Sequence, residues 1–528
     1  MRKSRVFVLS AVFAVLVCST NAFAGRYYID CEAGSDSSSG TSQTAAWLHH
    51  PYMSGFKGKY SHAAGDQFYF KGGVTCPNSY FPLTVAAGGS ASASDYYGPD
   101  PNQSWYNGSA WSRPIMSGGG QAISGNNVMF ILGSSQYVTF DNFEIAGMKD
   151  NSDNIYQHNV AFLMLGDQQT IENMYFHAWV VTGATHDDLV WIQGCGDSCS
   201  QQNTVVSQNY CNGADATPPS TSDSHGSSEC IRYLNGTIKN NVMLNVSNGI
   251  VTGDSTGHYN VVVDGNDCGH VYLSYDSSNH ENCIEILGSG QSGNVLANNK
   301  VHDLDTGAVW PFVFGPTGAG TDWVFNNVCW NVAKDCYDID DTAGNMPNYT
   351  ANIYNNTGQV GSGNYCVAST DRSSGNVIGA VNVYNNHCIT PNGTTGDAFC
   401  FSSLPSCDTV TNLKVTTNVV MSATTAKAQG YSWSNTFAYA PTDVSGSTVG
   451  AGTNLAASCS SEISSLCSDT MYSCSVGPGS ALSCPARTPN PRALSGKCTV
   501  GVSGCWDAGA YLFQSGPIPP TSLQAIVQ

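Results

Sequence analysis

TIKNN (237–241), VLANN (295–299), WVFNN (323–327), NIYNN (352–356) and NVYNN (382–386) are five stretches that end in the same asparagine pair. The second asparagine belongs to a series whose intervals run from 25 to 36 residues: Asn142, Asn173, Asn209, Asn241, Asn266, Asn299, Asn327, Asn356, Asn386 and Asn418. At the first two positions the register allows a slip of one residue. A unit this short cannot bury its own apolar face, so it must stack on its neighbours.

The repeat predicts an all-β protein, a right-handed parallel β-helix of about ten or more coils with a period near 30 residues. Each repeat contains a strand, a turn, an asparagine-bearing strand and a loop. Asparagines in register are expected to form amide ladders at the coil corners. No stretch keeps helical spacing over the length that a helix needs.

Cysteines follow the same period. One set lies two residues after a repeat asparagine: Cys211, Cys268, Cys329 and Cys388. A second set opens another strand of the repeat: Cys230, Cys283, Cys336, Cys366 and Cys400. The spacing suits disulfides between neighbouring coils, and pairing within one coil, such as Cys268 with Cys283, is equally open. Such cysteine usage indicates an oxidising compartment.

The amino terminus predicts export. Arg2, Lys3 and Arg5 precede an apolar run and an Ala-Phe-Ala cleavage site, so residues 1–24 are expected to be a signal peptide. The run is too short to span a bilayer, and a lipoprotein reading through Cys18 is the alternative. We therefore expect a secreted, extracellular chain without membrane insertion, with the periplasm or the cell surface as alternative locations.

Charge and composition narrow the partners. The net charge of −19 argues against nucleic acid, which needs a basic footprint, and permits cation binding.

Beyond the repeats, which cover 126–420, we expect an N-terminal cap with the first coils over 25–125. Residues 421–514 read as a Cys-rich C-terminal cap or excursion, and 515–528 as a disordered tail.

Both ends of the chain carry a resemblance. YYIDCEAGSDSSSGTSQTAAW (27–47), GDQFYFKGG (65–73) and WDAGAYLF (506–513) resemble segments of secreted right-handed parallel β-helix proteins of the pectate-lyase-like superfamily. The resemblance implies the architecture. It does not imply a reaction, because lyases, hydrolases, epimerases and adhesins share this fold.

Strand alternation gathers charged residues on one outer face. In ECIRYL, NCIEIL and DCYDIDD the isoleucines and tyrosines point inward, which places Arg232, Glu285 and Asp338 in one outward column, each two coils from the next. His280 and His225 lie at the strand entries, and the aromatic coil WPFVF contributes Trp310 and Phe312. The predicted catalytic residues are Arg232, Glu285, Asp338 and His280. The predicted substrate-binding residues are Trp310, Phe312 and His225.

Several chemistries remain open for this column. Two carboxylates two coils apart, roughly 9–10 Å at the backbone, suit an acid and a base that flank a water in inverting glycoside hydrolysis. Alternatively, Asp338, Asp340 and Asp341 hold Ca²⁺, and Arg232, Lys300 or a histidine removes the proton of a uronate. The structural alternative is a solvated face of cross-strand ion pairs.

The sequence thus predicts a protein that binds an extracellular polysaccharide and cleaves it, as a uronan lyase or a glycoside hydrolase. The rival is a non-catalytic cell-surface or matrix protein, an adhesin or a filament subunit. Self-association is open in either case, because an uncapped β-helix terminus is an unpaired edge.

Overall fold

A computed structural model of the protein describes most of the chain between residues 24 and 513. The described ranges are 24–124, 127–149, 159–181, 189–195, 201, 203–217, 228–252, 261–271, 281–289, 293–304, 309–317, 319–340, 344–370, 376–401, 407–434, 438–459, 463–468, 471, 474–484 and 506–513. The predicted signal peptide and tail therefore lie outside the described residues. Three predicted site residues do so as well: His225, His280 and Asp341.

The strands form three parallel sheets, A, B and C, which the chain visits in turn. Sheet A has 13 strands: Arg26–Ile29, Gln67–Phe70, Asp95–Gly98, Val138–Asp141, Gln169–Glu172, Val205–Ser207, Thr237–Lys239, Val262–Asp264, Val295–Ala297, Ala319–Phe325, Met346–Tyr354, Val377–Tyr384 and Thr409–Thr416. Sheet B has 12: Thr75–Cys76, Ile115–Gln121, Glu144–Met148, Tyr175–His177, Tyr210–Asn212, Val242–Val246, Asp267–Val271, Lys300–Leu304, Val328–Val332, Thr357–Val360, His387–Ile389 and Val419–Met421.

Sheet C has 11 strands: Leu83–Thr84, Val128–Gly133, Asn159–Met164, Leu189–Gln193, Glu229–Arg232, Asn248–Thr252, Glu281–Ser289, Val309–Thr317, Tyr337–Asp340, Val367–Thr370 and Phe399–Cys400. Each strand pairs in parallel with its equivalents one coil before and one coil after. The prediction of a parallel β-helix is confirmed. Helix is scarce in the described ranges: the two α-helices there are Ala423–Ala428 and Ser465–Ser468, beside single turns of 3-10 helix.

The predicted asparagine ladder is present at the corner between sheets A and B. Each side-chain amide donates to the next side-chain oxygen at 2.9 or 3.0 Å through the series Asn209, Asn241, Asn266, Asn299, Asn327, Asn356, Asn386 and Asn418. The residue before the ladder position adopts a left-handed backbone, which asparagine tolerates better than most residues. Asn142 and Asn173, with φ of 60° and 58°, occupy this preceding position. The slip of one residue is thus confirmed.

Inward residues from all three sheets fill one continuous core. Rings of successive coils stack, as for Phe68 on Tyr97 at 4.9 Å and Tyr97 on Phe140 at 4.4 Å between centroids. Farther along the same row of sheet A, aliphatic side chains such as Ile171 and Ile238 take the inward positions with no exposed surface. This is the stacking that a short repeat needs in order to bury its apolar face.

Both disulfide patterns left open by the sequence occur. Bridges within one coil join sheets B and C: Cys211–Cys230, Cys268–Cys283 and Cys329–Cys336. Cys366–Cys388 instead joins the sheet C strand of one coil to the sheet B strand of the next. Further described bridges are Cys31–Cys76, Cys400–Cys407, Cys459–Cys467 and Cys474–Cys484.

The described part of 421–514 lies against the outside of sheets A and B. Ala426, Tyr431 and Tyr511 pack on the late strands of sheet B, and the hairpin Ser475–Val476 with Leu482–Ser483 packs on its earlier strands. Leu455, Ile463, Leu466 and Trp506 pack on sheet A. Within the described ranges, no apolar cluster joins this segment to sheet C. Among the same residues, no helix is long and apolar enough to cross a membrane.

Candidate functional site

Sheet C aligns the three residues that alternation had placed in one column. The Cα register runs from Arg232 through Val251 to Glu285, and from Glu285 through Val313 to Asp338. We call Arg232, Glu285 and Asp338 the sheet C row. Strands lie about 4.8 Å apart, so neighbouring members of the row are separated by about 9.6 Å at the backbone. Their catalytic roles stay a prediction.

Arg232 is held by its neighbours. Its Nη1 lies 2.7 Å from Oε1 of Glu229, and its Nη2 donates to the Tyr233 hydroxyl at 2.7 Å. The guanidinium also lies 4.5 Å from the centre of the Tyr233 ring. An arginine fixed in this way loses little rotamer freedom when it binds a ligand.

A chain of side-chain amides connects this ion pair to Glu285. Asn248 donates from Nδ2 to Oε1 of Glu229 at 3.3 Å and accepts from the backbone N–H of Asn282 at 2.7 Å. Asn282 in turn donates from Nδ2 to Oε2 of Glu285. The half-buried Glu285 carboxylate is therefore oriented by a network that spans three strands.

The acids on the outer side of sheet C are more buried than a solvated face of ion pairs would allow. Glu229 and Asp340 are each 2% exposed, and Asp338 has no exposed surface, although all three belong to rows that face out of the core. Val313, also outward, is 1% exposed. Outward residues with so little exposure are shielded from solvent by the surrounding chain. Buried carboxylates of this kind are costly in a plain surface and cluster at functional sites.

The two aromatic residues predicted to bind substrate, Trp310 and Phe312, lie on opposite faces of sheet C. Phe312 is in register with the inward residues Ile284 and Tyr337, is fully buried, and stacks on Tyr337 at 5.1 Å. Its prediction as a substrate-binding residue is wrong, because alternation along the strand turns it into the core. Trp310 is half-buried on the other face, with Nζ of Lys334 4.4 Å from its ring centre.

The calcium prediction remains a prediction. Asp338 and Asp340 lie two residues apart on one side of a strand and offer oxygen ligands, which a hard cation prefers. The third predicted ligand, Asp341, lies outside the described residues. The predicted catalytic His280 and the predicted substrate ligand His225 are likewise untested.

A second charged cluster lies on the outer side of sheet B. Nζ of Lys300 is 2.6 Å from Oδ2 of Asp267, and Nε2 of His302 is 3.0 Å from Oδ1 of the same carboxylate. Nδ1 of His302 is 2.7 Å from Oδ2 of Asp303. The fifth member, His270, brings Nε2 to 3.9 Å from that Asp303 oxygen. We call these five residues the sheet B cluster.

Electrostatics couple the buried members. Burial alone would raise the pKa of Asp267, but Lys300 and His302 more than offset this effect and lower it to about 2. Burial would likewise lower the pKa of His302, yet the carboxylates of Asp267 and Asp303 raise it above the ordinary value. The imidazole thus bridges two carboxylates and favours its protonated form.

Sequence reasoning named only Lys300 here, as an alternative base. It missed the other four members: Asp267, His270, His302 and Asp303. Each strand follows a ladder asparagine, and alternation from that residue would have placed Asp267, Lys300 and His302 outward. Alternation does not predict the outward positions of His270 and Asp303, because the backbone at both residues departs from the regular strand.

Several solved structures of other proteins align with this chain. No protein-family model matches the chain, and no curated protein matches it. A rhamnogalacturonan lyase structure aligns with 12% identity and a TM-score of 0.45, covering 75% of this chain and 87% of that one. The pectate lyase Pel9A aligns with 15% identity and a TM-score of 0.42, covering 83% and 94%.

A third solved structure, PfbA, is a surface adhesin of Streptococcus pneumoniae. It aligns with 11% identity and a TM-score of 0.32, covering 63% of this chain and 86% of that one. Enzymes and an adhesin thus stand among the neighbours. At such identities the activity of this chain has to be inferred from its own residues.

Proposed function

We propose that the chain binds an extracellular polysaccharide along the outer side of sheet C and cleaves it. The observation that carries this proposal is the burial of three outward acids, Glu229, Asp338 and Asp340, beside the partly exposed Arg232 and Glu285. Carboxylates gathered in a recess, around a fixed guanidinium, are what acid–base work on a bound chain requires.

The shape of the face supports a polymeric ligand. Eleven strands at about 4.8 Å make a platform of about 50 Å along the helix axis. The C-terminal segment makes its described apolar contacts with sheets A and B. We therefore place the glycan along sheet C.

The residues divide the work. Glu285, oriented by Asn282, is the accessible carboxylate and transfers the proton. Arg232, fixed by Glu229, binds an oxygen-rich group of a sugar about two strands away. Trp310 contributes an aromatic surface beside the row.

Two reactions fit these roles. In hydrolysis Glu285 works with a second carboxylate, and Asp338, two strands away on the same face, is its candidate partner in an inverting pair. In β-elimination the proton comes from a uronate carbon next to a carboxylate, which Ca²⁺ bound at Asp338 and Asp340 would neutralise. The chain's disulfides suit a secreted location for either reaction.

A glycan-panel assay on the mature chain from Gly25 onward tests the proposal. Absorbance at 235 nm and new reducing ends are recorded with and without Ca²⁺, for the wild type, Glu285→Gln and a control, Asp264→Asn on the outer side of sheet A. Unsaturated ends identify a lyase, and reducing ends without absorbance identify a hydrolase. In both cases Glu285→Gln should lose the signal and Asp264→Asn should keep it.

Silence of the folded wild type across the panel contradicts cleavage. It would favour the non-catalytic rival, an adhesin or filament subunit. Activity that survives in Glu285→Gln would instead remove the reaction from the sheet C row.

A further inference from the structure

The sheet B cluster is built by a local break in strand alternation. Along a regular strand His302 and Asp303 would face opposite sides. Asp303 has a φ of 55° and His270 a φ of 53°, a left-handed backbone that residues other than glycine adopt rarely. This backbone turns Asp303 to the same side as His302, whose Nδ1 it meets at 2.7 Å. Two strained positions in adjacent strands thus bring their side chains together.

The imidazole of His302 is clamped between two neighbours. It lies across Gly269 of the preceding coil, where a Cβ atom would come within 2.5 Å of its Cε1. On its other side it stacks on Trp330, with ring centres 5.3 Å apart and planes inclined by 9°. A ring held from both sides presents its nitrogens in fixed directions.

The donor atoms converge. One ring nitrogen each of His302 and His270 and a carboxylate oxygen of Asp303 all lie within 4.8 Å of one another. Across the described ranges, no other trio of histidine, cysteine or acidic side chains comes as close together. Two imidazoles and one carboxylate are a donor set that suits zinc and other first-row divalent ions, whereas calcium and magnesium prefer oxygen alone.

A second layer supports this donor set. Asp267 contacts Nε2 of His302 at 3.0 Å and is itself held by Lys300 at 2.6 Å. With Asp267 on Nε2, a metal ion would take the place of the proton on Nδ1, between His302 and Asp303. Asn331 donates from Nδ2 to the second oxygen of Asp303, so both first-layer partners are oriented.

The geometry points to a divalent transition-metal site formed by His270, His302 and Asp303, with Asp267 and Lys300 as its outer layer. The His270 side chain is 42% exposed, so the site opens to solvent. The site lies on sheet B, away from the sheet C row, and is independent of the proposed polysaccharide chemistry.

His177 provides a matched control on the same sheet. Its Nδ1 lies 2.8 Å from Asp215, and its Nε2 lies 3.1 Å from Glu144. It is therefore also an imidazole between two carboxylates, but it belongs to no converging trio among the described residues. If His302 served only as an ion-pair bridge, the two histidines would respond to metal in the same way.

The test uses the mature, tag-free chain, stripped with a chelator and dialysed. Zn²⁺ is titrated by calorimetry, Co²⁺ is followed by its visible absorption, and Ca²⁺ serves as the hard-cation arm. We expect one Zn²⁺ per chain for the wild type and for His177→Gln. His270→Ala and His302→Gln should each bind it about 100-fold more weakly, with loss of the Co²⁺ spectrum.

Folding of each variant is checked by circular dichroism. His270 is the more exposed ligand, so His270→Ala keeps the proposal testable even where His302→Gln fails to fold. Absence of stoichiometric Zn²⁺ binding by the folded wild type would overturn the site. So would unchanged binding in His270→Ala, or an equal loss in His177→Gln.

Discussion

The outer faces of sheets B and C contain similar ion pairs, but the charged residues on the two faces are arranged differently. Arg232 lies 2.7 Å from Glu229 on sheet C, and Lys300 lies 2.6 Å from Asp267 on sheet B. On sheet C the outward charged residues are spread over several coils. On sheet B they converge within two adjacent strands, because left-handed residues interrupt the alternation. A row offers an extended surface to a polymer, whereas a convergent cluster offers a point to a small ion.

The largest expected effect is on the rate of polysaccharide cleavage, which variants on the two faces should change to different extents. Glu285→Gln should lower the rate of polysaccharide cleavage by about 10²- to 10⁴-fold, since it removes the proton-transferring group. His177→Gln, on sheet B, should leave that rate unchanged. Initial rates on the best substrate of the panel, at matched fold by circular dichroism, measure both. Equal rates in Glu285→Gln and wild type would erase the distinction between the faces.

A second variant probes the buried pair of sheet B. Asp267→Asn should lower the free energy of unfolding by about 3–5 kcal/mol, because it leaves the ammonium of Lys300 buried without its counter-charge. The double variant Asp267→Leu with Lys300→Met removes both charges and should be closer to the wild type. Denaturant titration followed by circular dichroism gives the comparison. A double variant as unstable as Asp267→Asn would show that the pair is not the source of the loss.

The pKa of a buried acid in the core shows how much a nearby counter-charge matters. Asp322 faces inward from sheet A, and burial raises its pKa to about 7, although hydrogen bonds from Tyr349 and Asn294 oppose the shift. Because the folded-state pKa lies above the unfolded value near 3.8, its stabilising contribution is full below pH 3.8 and declines as pH rises to 7. Above pH 7 the decline is complete and amounts to about 4 kcal/mol.

Thermal unfolding from pH 5 to 8 checks this expectation. The melting temperature of Asp322→Asn, which keeps an acceptor for Tyr349, should fall less with pH than that of the wild type. Parallel curves for the two proteins would contradict a neutral Asp322. Asp267, with a pKa lowered to about 2, shows what a neighbouring cation does to an acid that is similarly buried.

The smallest effect concerns the asparagine ladder at the corner between sheets A and B. Asn299 donates to the Val263 carbonyl and to Asn327, and accepts from both the backbone and the side chain of Asn266. Asn299→Ala should cost about 2–3 kcal/mol, because it leaves buried donors unsatisfied. Asn418→Ala, at the end of the ladder, should cost about 1 kcal/mol. Equal losses in chemical denaturation would mean that the ladder is not cooperative.

Much of the fold was predictable because it repeats. The asparagine period gave the coil, and alternation from Ile284 and Ile286 gave the outward column of Arg232, Glu285 and Asp338. The same rule, applied to Phe312, would have corrected its assignment to the groove. Where a strand alternates regularly, the sequence alone predicts which side each residue faces.

What escaped prediction depends on local backbone and on burial. The left-handed backbone of His270 and Asp303 recurs at the equivalent positions Asn245 and Asn331, but the residue types in this column differ, so the sheet B cluster was missed. The burial of Asp338 could not be read either, because exposure on an outer face depends on the shape around it and not on strand period. Both properties therefore needed the structure.

A crystal structure of Glu285→Gln with an oligosaccharide of the best panel substrate tests the central claim most directly. We predict sugar density along the outer side of sheet C, with rings beside Arg232 and residue 285 and the scissile bond near the substituted side chain. Density confined to sheet A, sheet B or the C-terminal segment would contradict the proposed groove.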